Sequence, residues 1–271
     1  MQSRRPTYKL TMEKAKVFSR ATGPFAGIAM LFLIGLILEA AARSHLLDHR
    51  FFPAPSTVLY NLSVLFWSSD FHLHLQASLL RLTGGVLLAG GLSFLVLIGA
   101  SLSPAIRLLM NGLTALVYPL PKSALLPFLF LLVGLNDLSH ILLIASGCAT
   151  LLLTTLDAGL TRLRQAGYLE LARVLGLSKA RLLMKVILPG LAPEALIGLK
   201  LGVSYSLVLL IVSEMMATRY GLGVLMWTSW DQFKIVDLYS VFYLLSLSGL
   251  LLFGFFGYLA EVVSEPQQGL L

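Results

Sequence analysis

Residues 76–100 read QASLLRLTGGVLLAGGLSFLVLIGA, an apolar run in which Arg81 is the only charge. An α-helix needs about 20 residues to cross a hydrocarbon core of roughly 30 Å, and the run shows no period-two alternation of the kind a barrel strand carries. Backbone amides in lipid find no water, so such a segment must satisfy them internally as a helix. Moving outward, five more apolar runs occur at 24–42, 108–134, 138–156, 191–216 and 239–260. The expectation is an all-α integral membrane fold of six transmembrane helices. One transmembrane domain, 24–260, lies between a basic tail at 1–23 and a second tail at 261–271. Composition agrees: 57% of residues are hydrophobic and 12% charged, whereas soluble domains carry roughly 25% charged residues. The single cysteine, Cys148, excludes an internal disulfide and any multi-cysteine metal site, and reads as a small apolar filler.

The net charge of +7 could suggest nucleic acid, but the basic residues lie beside apolar runs and argue topology instead. Arg4, Arg5, Lys9, Lys14, Lys16 and Arg20 precede the first run, and the positive-inside rule places them in the cytoplasm. In the six-span topology the fourth crossing returns the chain there at 157–190, which carries Arg162, Arg164, Arg173, Lys179, Arg181 and Lys185. Both termini are then cytoplasmic. The first apolar run, at 19 residues, exceeds the ~7–15 of a cleaved signal, so an uncleaved first span is expected. The third run, 108–134, would reach about 40 Å as a straight helix. Pro119, Pro121 and Pro127 lie inside it, so a break is expected around Tyr118-Pro119-Leu120-Pro121-Lys122.

The loop at 157–190 holds the most informative stretch, YLELARVLGLSKARLLMKVILPG from Tyr168 to Gly190. Glu170 to Leu175 suit a short helix, Gly176 a left-handed stop, and Ser178 the cap of a second helix. In that helix Leu182, Leu183, Val186 and Ile187 share an arc of about 140°, with Arg181 and Lys185 opposite. Pro189 is expected to end it. From pattern alone two readings stay open. The loop could lie on the bilayer with its basic side toward anionic headgroups, or it could dock a cytoplasmic partner.

The stretch Glu170-Leu171-Ala172, Gly176 and, nine residues on, Val186-Ile187-Leu188-Pro189 resembles the signature of the membrane subunits of bacterial binding-protein-dependent ABC importers. Leu171 and Val186 are apolar departures that leave the spacing intact. Phe52-Pro53-Ala54-Pro55-Ser56, the stretch from Pro119 to Pro127, Glu214 and Gly221-Leu222-Gly223 resemble the nitrate, sulfonate and taurine subfamily. The resemblance implies a type I ABC importer permease fold with a coupling helix between the fourth and fifth spans. Glu170, Ala172, Gly176 and Pro189 match the positions that couple to the ATPase. It also implies a multi-pass protein of the bacterial inner membrane with several partners: a second permease copy, cytoplasmic ATP-binding subunits, a periplasmic or lipid-anchored substrate-binding protein, and membrane lipid. ATP and Mg would sit on the partner ATPase and no cofactor on this chain, which contains no Gly-Lys dipeptide and so no phosphate-cradling loop.

Ionisable residues within a membrane often mark a pathway. Lys122, just after the Pro-Leu-Pro break, could face an aqueous cavity and attract an anion, or serve a structural role. Glu214, near the end of the fifth span, is either a gate residue or a carboxylate paired with a loop. Tyr118 and Tyr205 are further pathway candidates, against packing as the plainer role. Arg81 and Lys200 fall near span ends, where snorkelling is expected. His45, His49, His72 and His74 fall in a predicted loop with no metal-site spacing, and no catalytic constellation stands out. The competing function is a stand-alone ion-coupled secondary transporter. An integral-membrane enzyme would need convergent polar residues that this sequence lacks.

Overall fold

The computed structural model describes residues 27–268 apart from residues 28 and 45. The expected basic tail at 1–23 lies outside the described residues, as do the last three positions of the C-terminal tail. The chain divides into two compact units, one ending at Ser63 and one running from Val64. The first contains α1, over 29–43, and most of α2 (Pro55–Phe66). Glu39 closes the connection between them: its carboxylate accepts from the Ser56 amide at 2.9 Å and the Ser56 hydroxyl at 2.7 Å, and pairs with Arg43 at 2.6 Å. A carboxylate at the first turn of α2 complements the positive end of that helix.

Among its described residues the second unit consists of helices joined by turns, with no strand. It runs α3 (Ser69–Leu102), α4 (Pro104–Val117), a 3-10 turn (Lys122–Leu125), α5 (Leu126–Val133), α6 (Asp137–Gln165), α7 (Tyr168–Val174), α8 (Lys179–Leu182), a π turn (Leu183–Ile187), α9 (Leu188–Glu214), α10 (Leu222–Asp231) and α11 (Ile235–Gln268). Among the described residues four helices are long and apolar enough to cross a membrane: Ser69–Leu102, Asp137–Gln165, Lys179–Glu214 and Ile235–Val263. A fifth candidate is the pair Pro104–Val117 and Lys122–Val133, bent by 95° where the sequence predicts a break. Pro119 and Pro121 each remove an amide donor there, and the regular helical ladder cannot continue through both.

Three of the boundaries that differ from expectation have a local cause. The helix containing residues 76–100 starts at Ser69, because Ser68 caps it by accepting from the Phe71 amide at 3.2 Å. His72 and His74 therefore stand on a helix and not in a loop. The fourth span continues past residue 156 to Gln165, with Arg162 and Arg164 in its last turn, where cations complement the helix C-terminus. Pro189 does not end a helix. Residues 179–214 form one continuous helix of 36 residues, and the π turn immediately before Pro189 widens the ladder where the proline has no amide to offer.

At the centre α6 lies against α3 on one side and α9 on the other, and small residues bring the backbones close. A methyl group added at Gly202 of α9 would stand 2.7 Å from Cys148 Sγ of α6, and one at Gly85 of α3 would stand 2.7 Å from Ile144 Cβ. Cys148 is fully buried and fills this contact.

Candidate functional site

Three sets of residues lie along α6 and α9. At one end, α7 stops in a left-handed turn at Gly176, φ +68°, and the Leu177 amide reaches back to Ala172 O at 3.0 Å. This six-to-one bond satisfies a terminal carbonyl. Ser178 then caps α8 by accepting from the Arg181 amide at 3.4 Å. Leu169 and Ala172 are buried, while Glu170, Leu171, Val174 and Leu175 face outward. Leu169 joins Leu156, Leu160 and Leu163 of α6 and Ile187 and Leu191 in one apolar cluster, against which Leu182, Leu183 and Val186 pack. The apolar stripe read from the sequence therefore faces the ends of α6 and α9. Arg162 of α6 braces the same corner, pairing with Glu194 at 2.8 Å and donating to Gly190 O at 3.0 Å. Glu170, Ala172, Gly176 and Pro189 thus frame one compact helix-turn-helix mounted on both long helices.

Midway along α6 and α9, a cavity of about 240 Å³ is lined by Tyr118, Lys122, Gly147, Thr150, Leu151 and Tyr205. A neighbouring cavity of about 440 Å³ shares Tyr118 and extends past Thr114, Asn111 and Thr154 to Asp157. The irregular backbone of the 118–121 break borders the first. Non-helical backbone at membrane depth persists only where protein buries it or water fills a cavity beside it. Lys122 is 3% exposed and donates to the carbonyls of Val117 at 2.5 Å, Leu120 at 3.0 Å and Tyr118 at 3.2 Å. Its ammonium supplies three donors at the C-terminal end of α4, where Pro119 and Pro121 supply none. Beyond the second cavity Arg107 of α4 pairs with Asp157 of α6 at 3.1 Å and donates to Thr161 at 2.7 Å.

At the opposite end from α7, Glu214 is fully buried. Its carboxylate accepts from Ser78 Oγ at 2.8 Å, from Arg81 Nη1 at 2.9 Å and from the Gly223 amide at 2.9 Å. Arg81, 6% exposed, also donates to Tyr220 O at 2.7 Å and pairs with Asp137 at 2.7 Å. Ser78 in turn accepts from the Leu222 amide at 2.7 Å, and His74 stands 2.8 Å from Gly221 O. Glycine is required at 221 twice over. Its φ is +153°, and a methyl group there would lie 2.6 Å from Glu214 Oε2. The network ties α3, α6, α9 and the turn before α10 together.

Tyr118, Lys122 and Tyr205 therefore share one cavity, whereas Glu214 stands apart in a closed ionic cluster facing a loop. Sequence reasoning placed Arg81 as a snorkelling residue; it is instead the buried partner of Glu214. The signal was available, since opposite charges inside apolar helices tend to pair with one another, but the two lie far apart in sequence. Lys200 does not extend to a helix end either and sits 3.8 Å over the Phe253 ring. Thr150 and Gly147 were missed because a threonine and a glycine in an apolar helix look like packing residues. Among the described residues no three His, Cys, Asp or Glu side chains converge to hold a metal.

Comparison with known proteins points one way. Residues 85–267 match the family described as binding-protein-dependent transport system inner membrane component. The taurine transport system permease protein TauC of Escherichia coli is 31% identical over 201 residues, covering 72% of this chain and 73% of that protein. The nitrate import permease protein NrtB of Synechocystis is 24% identical over 262 residues, 90% of each chain. The bicarbonate transport system permease protein CmpB of Synechococcus elongatus is 27% identical over 198 residues, covering 72% of this chain and 68% of that protein.

Proposed function

Because the chain belongs to the family of inner membrane components of binding-protein-dependent transport systems, we propose that it is the permease subunit of an ATP-driven importer for a small nutrient. Taurine, sulfonates, nitrate and bicarbonate define the class of cargo, since relatives that transport taurine, nitrate and bicarbonate match over most of this chain. The first apolar segment adds a sixth span to the five candidates. The α7 end faces the cytoplasm, where the basic residues of 157–190 concentrate. Two copies form the pathway, with ATP-binding subunits below and a substrate-binding protein above; ATP and Mg bind to the ATPase and not to this chain.

One observation supports this reading above the others: α7 and the residue after it present an exposed apolar face, Leu171, Val174 and Leu175, while Leu169 is buried in an apolar cluster with residues of α6 and α9, the two helices that wall the mid-depth cavity. An ATPase groove that covers this face gains a rigid handle on the cavity walls. Nucleotide-driven closure would move α7, the movement would tilt α6 and α9, and access to the cavity would change sides. Glu170 supplies a charged edge for the partner, Ala172 a close contact, Gly176 the sharp turn, and Pro189 the junction at which the π turn passes into the span. Of the pathway candidates, Tyr118, Lys122 and Tyr205 border the route and Glu214 braces its far end.

The test is to purify the chain with its ATP-binding subunits, replace Gly176 by tryptophan, and measure complex formation and ATP-dependent uptake in proteoliposomes. Loss of uptake in an otherwise folded permease is expected. Undiminished assembly and transport would refute the coupling assignment, and uptake by this chain alone under an ion gradient would favour a secondary transporter.

A further inference from the structure

The mid-depth cavity contains two different kinds of polar group. The three hydrogens of Lys122 are spent on the carbonyls of Val117, Tyr118 and Leu120. Thr150 donates to Ser146 O at 2.7 Å. The phenol hydroxyls of Tyr118 and Tyr205 have no hydrogen-bond partner among the described residues, and both residues are part-exposed where they line the cavity. The free donors at mid-depth are therefore neutral hydroxyls, and the charge beside them is already held by backbone.

Among the described residues no carboxylate lines this cavity. Asp157 borders the adjoining one and is paired with Arg107. The local field keeps the sign of Lys122, reduced by the partial negative charge of the helix end it caps. Two neutral donors in a weakly positive cavity suit a hydrogen-bond acceptor that carries negative charge. They also hold it loosely, as passage requires, since a transit site must release what it binds.

Resting on the permease reading above, we propose that Tyr118 and Tyr205 form a transit site for the oxyanion group of the cargo, and that Lys122 is a positioning residue that shapes this site without touching the cargo. The lysine holds the 118–121 break open at the angle that brings Tyr118 of the α4 side opposite Tyr205 of α9. Gly147 admits the Tyr205 ring, since a methyl group there would lie 3.1 Å from two of its ring carbons. The sulfonate, nitrate or carbonate group accepts from one or both phenols, while the rest of the molecule occupies the wider cavity past Thr114 and Thr154.

The test uses the importer assembled with its own ATP-binding and substrate-binding subunits in proteoliposomes, with labelled taurine, ethanesulfonate, nitrate and bicarbonate as probes. Each of Tyr118→Phe and Tyr205→Phe removes a hydroxyl and little volume. Each is expected to lower uptake kcat/KM by about tenfold with Tm unchanged. Lys122→Met is expected to lower Tm and kcat while leaving KM within twofold, and Lys122→Arg to restore both in part. A double Tyr→Phe variant with uptake within twofold of the parent overturns the transit site and leaves the permease reading standing. A Lys122→Met variant of normal Tm whose KM rises tenfold overturns the division of roles. A parent complex that takes up none of the four probes overturns the oxyanion class and leaves the permease reading to the Gly176 test above. A labelling arm is independent of uptake: Tyr205→Cys, in a Cys148→Ala background, should react with the membrane-impermeant reagent 2-sulfonatoethyl methanethiosulfonate, itself a small sulfonate. Leu87→Cys, 75% exposed on the outer surface of α3, should not. Equal inertness at both positions overturns the proposal.

Discussion

Removing Arg81 isolates a carboxylate from which water is excluded. Arg81→Met deletes the donor to Glu214 at 2.9 Å, the donor to Tyr220 O at 2.7 Å and the pair with Asp137 at 2.7 Å. Glu214, fully buried, keeps only Ser78 and the Gly223 amide. Breaking one side of a buried pair costs about 3–5 kcal/mol, because the remaining charge stays desolvated. At about 2–4 °C per kcal/mol for a chain of this size, Tm should fall by about 6–20 °C. Glu214→Gln is gentler: it keeps the shape, removes the charge, and leaves Arg81 its pair with Asp137. A cost of about 1–2 kcal/mol is expected, since hydrogen bonds weaken without leaving an ion stranded. The double variant Arg81→Met, Glu214→Gln strands nothing and should lie above the sum of the two single losses by about 2 kcal/mol. Thermal unfolding of the detergent-solubilised permease, followed by tryptophan fluorescence, measures all four proteins. An Arg81→Met protein within 2 °C of the parent, or strictly additive losses, would refute the view that this cluster is a buried and mutually dependent brace.

Two further outcomes follow from the packing. Gly202→Leu would drive a side chain into Cys148, which a methyl group already approaches to 2.7 Å. Separation of α6 from α9 should cost about 1–3 kcal/mol and show as a lowered Tm, with the smaller Gly202→Ala less affected. Arg162→Ala, by contrast, removes a half-exposed arginine whose side chain is 48% accessible. A solvated pair contributes about 0–1 kcal/mol, so Tm should move by no more than a few degrees, and a large fall would show that the corner beside α7 is better shielded than the geometry indicates.

Much of the fold can be read from the sequence because lipid imposes one rule on every residue: a backbone without water must satisfy itself. That rule locates the span around residues 76–100 and the four that follow it, with errors of up to about three turns at the ends. The break at 118–121 follows from two prolines, the left-handed stop at Gly176 from the lack of a Cβ, and the cap at Ser178 from a hydroxyl, all local effects. The errors arise where a local signal was overridden. Pro189 reads as a terminator, but the π turn before it removes the conflict and the helix continues. His72 and His74 read as loop residues because their polarity obscured a helix start that Ser68 fixes.

The site was less legible. Lys122 beside a cavity reads as an anion attractor until its three hydrogens are seen to be used by Val117, Tyr118 and Leu120. Arg81, Glu214 and Asp137 each look isolated, because nothing in a linear sequence says which charge a buried charge will meet. The sequence by itself determined the helical membrane class, the uneven placement of positive charge and the helix-turn-helix at 168–189, because these depend on hydropathy, chain direction and nearest neighbours. Only the tertiary structure decided which polar groups remain free. Satisfying a buried donor or charge is a property of the groups folded against it, and for Arg81 those arrive from helices more than fifty residues away.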